Sequence, residues 1–280
     1  MARPLYVVIH LYKTAGKALL RTFEQNLGKH KLLSMYAPQI GLDKAKNSAN
    51  PGWDETSVLD YLEKHLTDQI VCLFGHMSFY GIHELLQTKQ RDVRYITFLR
   101  EPVARIVSLY NFLKYNSKNV WHDEIVTNNW SLEEWFQYSR GLWLHNGQLR
   151  HLLLWKCKEV LELRELTEEH LHMGKEIISD MWFVGTKETY DVDSRYLCYL
   201  LDFKRCQPEE AVNVSSGEKR IDTRVRALIE ADNALDAELY RHACQVRAAY
   251  YERHADDLQR ALQGSRRHGL FGLGLHRVRA

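Results

Sequence analysis

Residues Leu5–Leu20, LYVVIHLYKTAGKALL, constrain the fold more than any other stretch. An apolar, β-branched run ends in a polar turn holding Lys13, Thr14, Gly16 and Lys17, and a helical pattern begins at once. A strand feeding a helix through such a turn points the helix's unpaired N–H groups and positive dipole end at one place. Two lysines and a hydroxyl stand there, so the turn reads as a phosphate site; an ordinary β–turn–α connection with solvated lysines is the alternative. A Walker A loop needs a first glycine for the turn and a Ser/Thr hydroxyl for Mg²⁺. Aligned on Gly16-Lys17, those two positions hold Leu11 and Ala18. The loop is suited to a phosphate but lacks the usual ligand for a metal beside it.

Alternation continues along the chain. Ile70–Phe74 leads into Gly75-His76 as a second strand, Val93–Leu99 is a third and Met181–Val184 a fourth. Helices are expected over Val58–Leu66, Val103–Tyr115 after Pro102 at a first-turn position, and Ser131–Tyr138 behind a Ser131/Glu134 capping box. Others are expected over Asn146–Trp155, Glu168–Ile178, a stretch ending near Leu201, and Asp222–Leu262 with a break near Asp232-Asn233. Gly41–Thr56 and Asn213–Lys219 read as loops. Short strands separated by helices predict βαβ units, hence an α/β fold with a central parallel sheet flanked by helices. With 280 residues, no internal repeat and no clear linker, the chain reads as one domain over 1–263. The Arg- and Gly-rich stretch 264–280 reads as a flexible basic tail.

Composition narrows the class. Hydrophobic residues at 45% and charged residues at 26% suit a globular protein with a real core. The formal charge of +2 gives no global field for nucleic acid, so anion recognition must be local. Five cysteines without a C-x-x-C pair read as reduced thiols of a cytoplasmic protein. The sequence shows neither a transmembrane segment nor a signal peptide. The histidines form no H-E-x-x-H pattern, and no metal site is expected.

In an open parallel sheet, ligands sit beyond the carboxyl ends of the strands. Here those ends deliver Lys13, His76 and Arg100. Arg100, Arg105 and Ser108 gather at the start of one helix, where an arginine fork and a hydroxyl suit a second phosphate. His76 between two phosphate grips reads as a catalytic base; read alone, a histidine after a buried strand is as well a satisfied structural residue.

These residues carry a resemblance. The chain resembles the Golgi-type carbohydrate sulfotransferases of the sulfotransferase 2 family, in particular their heparan-sulfate 2-O-sulfotransferase branch, which use 3′-phosphoadenosine 5′-phosphosulfate (PAPS). HLYKTAGKALL is similar to the family's loop for the 5′-phosphosulfate, and ITFLREPVARIVSLYNFLKY to its 3′-phosphate motif. FGHMSFYGI is similar to the segment with its catalytic histidine. HNGQLRHLL, MWFVGTKETY, the AVNVSSG turn and a D-x-x-LY helix around Asp236–Tyr240 follow in the family's order. The resemblance implies a P-loop-like sulfotransferase architecture, with PAPS as co-substrate and no metal. It implies donor contacts at Lys13, Thr14, Ala15, Gly16, Lys17, Ala18, Arg100, Ser108, Ser215 and Lys219, and catalysis by His76 and Lys13. The acceptor is then a glycan or another hydroxylated molecule.

The chain departs from the family in three places. Lys17-Ala18 replaces Thr-Ser, Tyr12 replaces proline, and Phe74 stands where some relatives carry a second histidine. The family's membrane anchor has no counterpart, which favours a bacterial cytoplasmic enzyme over a Golgi one. Trp121, His122, Asp123, Glu124 and Trp130 suit a sugar-binding surface or a packed loop equally. Asn146, Gln148 and Arg150 read as structural or donor-side. A metal-dependent, kinase-like phosphotransferase and a non-catalytic nucleotide- or glycan-binding protein are the alternative functions.

Overall fold

The computed structural model describes residues 3–40, 54–85, 91–116, 122–139, 141–163, 165–206 and 221–269. Five strands form one parallel sheet: β1 (Leu5–Ile9), β2 (Leu32–Ser34), β3 (Cys72–Gly75), β4 (Val93–Leu99) and β5 (Phe183–Thr186), in the order β2-β3-β1-β4-β5. The helices are α1 (Gly16–Leu27), α2 (Ala37–Ile40), α3 (Glu55–His65), α4 (Ile82–Leu85), α5 (Pro102–Tyr115), α6 (His122–Thr127) and α7 (Leu132–Tyr138). They continue with α8 (Gly147–Leu153), α9 (Glu168–Asp180), α10 (Tyr190–Leu200), α11 (Thr223–Asp232), α12 (Ala234–Arg253) and α13 (Ala255–Gly269).

The alternation of β1 decides the layering. Leu5, Val7 and Ile9 enter one core with Val58 and Leu62 of α3, Leu149 of α8, Ile177 of α9 and Leu239 of α12. Val8 enters the other, with Leu19 and Phe23 of α1, Tyr196 of α10 and Ala261 of α13. Burial of both faces is what a parallel sheet requires. A third cluster joins α5, α6, α7 and α11.

The expected α/β sheet is present, with one strand more than the four read from sequence. β2 spans three residues, too few to display a period, and exists because Leu32–Ser34 pairs with Cys72–Phe74. The break after Asp232 occurs as expected, and a second one at His254 separates α12 from α13. The last helix ends at Gly269, within the first residues of the stretch read as a tail. No helix among the described residues is long and apolar enough to cross a membrane.

β1 and β3 are neighbours whose onward connections diverge. The chain leaves β1 towards β2 on one side, and leaves β3 towards β4 on the other. Such a divergence opens a crevice at the carboxyl ends of the two strands.

Candidate active site

The loop after β1 is built under backbone strain. Lys13 and Ala15 both lie in the left-handed region, with φ of 68° and 72°. Non-glycine residues there cost of order 1 kcal/mol or more each, and such outliers cluster at functional sites. Ala15 is the N-cap of α1 and has no side chain with which to cap it, and no acidic residue lies in the first turn. Cations gather around this uncapped end instead. Arg100 Nη1 donates to the Lys13 carbonyl at 3.1 Å. The Lys13 and Lys17 ammonium groups stand 4.2 and 5.6 Å from the centre of the Phe112 ring. Burial, and then the charges of Lys17 and Arg100, push Lys13 down to about 8. Like charges held together at a helix N-terminus are an arrangement suited to an anion. Ser108 lies one helical turn before Phe112, so α5 presents both on the face turned to the loop.

Thr14 is held inside the loop. Its side chain is buried and donates to the Leu11 carbonyl at 2.9 Å, so the hydroxyl braces the loop. Arg105 differs from expectation. It is 2% exposed, donates to the Trp143 carbonyl and faces Asp236 at 3.7 Å, which places it in the core rather than at a phosphate. Glu101 caps α5 through bonds from the N–H groups of Val103 and Ala104. Ser215 and Lys219 lie outside the described residues, as does Trp121. His122, Asp123 and Glu124 open the short helix α6, and half-buried Trp130 packs against Tyr138.

His76 follows β3 directly. Gly75 permits this path, because a Cβ there would lie 2.0 Å from the Met35 carbonyl oxygen. His76 Nδ1 lies 2.6 Å from the carbonyl oxygen of His10. A carbonyl only accepts, so Nδ1 carries the proton and Nε2 keeps its lone pair. Burial lowers this imidazole to about 4, partly opposed by the same hydrogen bond. The ring is a neutral imidazole at neutral pH.

The surroundings of His76 were not apparent in the sequence. His10, from the end of β1, stacks on it at 4.1 Å, so a second imidazole is present although Phe74 occupies the position used by some relatives. His10 Nδ1 is 2.8 Å from the Tyr36 hydroxyl. Its Nε2 lies 1.7 Å from where a Cβ on Gly16 would be. Gly16 is therefore required by the histidine ring beside it. Tyr12 stacks on His76 at 3.9 Å. His151, 2% exposed on α8, stands 6.3 Å from His76, and burial lowers it to about 3. Burial is also the first cause that holds His10 well below its ordinary value, followed by His76 and His151.

α8 positions the third strand end. The Gln148 amide clamps the Arg100 backbone, accepting from its N–H at 2.9 Å and donating to its carbonyl at 2.8 Å. Asp236 of α12 accepts from the N–H groups of Gln148 and Leu149, while Asn146 accepts from the N–H of Asp236. The two helices thus cap one another, and Arg150 is spent on the carbonyls of His145, Val160 and Leu163. Asn146, Gln148 and Arg150 all make structural hydrogen bonds, in keeping with one of the two roles read for them from sequence.

Among the described residues one group brings metal-ligating atoms together: Cys157, Glu159 and His170. The Thr167 N–H donates to His170 Nδ1 at 3.0 Å, so the neutral ring bears its proton on Nε2, the nitrogen that faces Glu159. It has no lone pair to offer there.

No protein-family model and no curated protein matches the chain. Among solved structures it is similar to the crystal structure of a sulfotransferase from Alicyclobacillus acidocaldarius, at 13% sequence identity and a TM-score of 0.40, covering 89% of this chain and 97% of that one.

Proposed function

We propose that the protein is a PAPS-dependent sulfotransferase that moves the sulfonyl group to a hydroxyl of a glycan or another hydroxylated acceptor. One observation carries the reading: His76, a neutral imidazole whose Nε2 keeps its lone pair, stands at the switch point of the sheet beside an uncapped helix N-terminus ringed by Lys13, Lys17 and Arg100. Similarity of the motifs to the 2-O-sulfotransferase branch favours a sugar as acceptor.

In this reading the 5′-phosphosulfate lies against the loop from Lys13 to Ala18, with Arg100 and Ser108 on the 3′-phosphate. Ser215 and Lys219 are proposed to complete the donor site. His76 Nε2 takes the acceptor's proton as the new O–S bond forms. The S–O bond to the 5′-phosphate breaks in line, and adenosine 3′,5′-bisphosphate leaves. Lys13 and the first N–H groups of α1 stabilise the charge that grows on the bridging oxygen. Ala18 supplies no metal ligand where a kinase loop has its hydroxyl, which favours sulfonyl transfer over a Mg²⁺-dependent phosphotransferase.

Calorimetry and turnover test this together. Adenosine 3′,5′-bisphosphate is expected to bind and ATP–Mg²⁺ not to, and labelled PAPS is expected to sulfate members of a hydroxylated acceptor panel in the presence of EDTA. Tight binding of ATP–Mg²⁺ alone would favour the kinase-like alternative. Donor binding without turnover on any acceptor would favour the non-catalytic one.

A further inference from the structure

His76 is enclosed between two rings. Tyr12 stacks on it with centroids 3.9 Å apart and planes at 13°, and His10 does so at 4.1 Å and 24°. Two rings parallel to one imidazole at stacking distance cannot share a face, so they cover opposite faces. Tyr36 meets the same imidazole edge-on at 5.0 Å and 87°.

A base that takes a proton becomes a cation, and this one has little to neutralise it. Among the described residues, the groups facing it are His10 and Tyr12 from the segment after β1, Tyr36 after β2, and His151 from α8. Lys13 and Lys17 lie beyond His10, and Arg105 behind His151. None of these is a carboxylate; Glu24 acts on Tyr36, and Asp236 is paired with Arg105. The His10 carbonyl holds Nδ1, and what remains to stabilise the charge is the negative face of an aromatic ring. Burial raises the Tyr12 phenol to about 12, so the ring stays a neutral π donor across the working range.

We infer that Tyr12 and His10 form a π sandwich that stabilises the imidazolium of His76, with Tyr12 as the positioning residue that sets the proton affinity of the base. The inference rests on the reading of His76 as general base. The acceptor's proton moves to Nε2, the ring charge spreads beneath Tyr12, and the charge disappears when His76 returns the proton to solvent after product release. The stacking thus grows stronger as the transition state is approached, which is the condition for it to accelerate the reaction. Proline at this position, as in the family the loop resembles, has no π face to offer.

The test is an NMR titration of the His76 ring in the wild type, Tyr12→Phe and Tyr12→Leu. Tyr12→Phe keeps the π face and is expected to titrate with the wild type. Tyr12→Leu loses it, and His76 is expected to titrate about one pH unit lower, the size of a desolvated cation–π contact. Turnover of Tyr12→Leu should fall by up to about tenfold, and its acid limb should move down with the titration. Its affinity for adenosine 3′,5′-bisphosphate should not change. Tyr12→Met, of similar bulk, replaces Tyr12→Leu should that variant not fold. A leucine or methionine variant that titrates like the wild type overturns the inference, as does a Tyr12→Phe value as low as theirs. The titration needs no turnover, so its outcome is separate from that of His76→Ala, which tests the base itself.

Discussion

Lys13 offers a quantitative test of the anion site. Burial and the neighbouring charges of Lys17 and Arg100 bring it to about 8, against about 10.4 for an ordinary lysine. A bound bisphosphate places opposite charge beside the ammonium and reverses the depression, so ligand and proton bind cooperatively. The sign follows: affinity is full below pH 8 and falls as pH rises through it, because the free protein then loses the proton that the complex retains. With Lys13 at about 8 when free and near 10.4 when bound, the Kd for adenosine 3′,5′-bisphosphate should weaken about tenfold between pH 7 and pH 9. The phosphates are already doubly ionised over that range, so their own titration does not contribute. Calorimetry at pH 9 in buffers of different ionisation enthalpy should show uptake of about 0.9 proton per ligand bound. Lys13→Arg carries a permanent charge, and its Kd should be flat over the same range whatever its absolute value. A flat wild-type curve, or a Lys13→Arg variant that weakens in parallel, would refute the assignment of Lys13 to the anion.

His76→Ala should lower turnover by about 10²–10⁴-fold with nearly unchanged affinity for adenosine 3′,5′-bisphosphate, the contribution expected of a general base. In the wild type, activity should be retained through pH 5 and lost as pH falls towards about 4, where the imidazole takes up a proton; an acid limb at the ordinary histidine value near 6.5 would count against the buried, stacked environment. Gly16→Ala should displace the His10 ring and depress turnover, and Gly16→Ala in a His10→Ala background should cause little further loss, which a double-mutant cycle reads directly. Asp236→Ala removes the acceptor for two α8 N–H groups and leaves Arg105 buried without its carboxylate, so denaturant unfolding should show a loss of about 3–5 kcal/mol.

Local rules in the sequence were enough for the frame. The β-branched run before Lys13 makes a strand, Pro102 opens a helix, and Ser131 with Glu134 closes a capping box, each through contacts a few residues apart. A parallel sheet then brings its strand ends to one edge, and so Lys13, His76 and Arg100 could be placed together from their positions alone. The tertiary structure decided what surrounds them. β2 is a strand only because β3 pairs with it. His10 and His76 are 66 residues apart in sequence and share a carbonyl bond, and Asp236 reaches α8 and Arg105 across still longer separations. The Thr14 hydroxyl could face an anion or the loop, and only the path of the backbone through Lys13 and Ala15 turned it inward. Local pattern fixes which strand end a residue occupies, because period and capping act over a few residues. The partners that tune its charge come from distant segments, chosen by the packing of the whole fold.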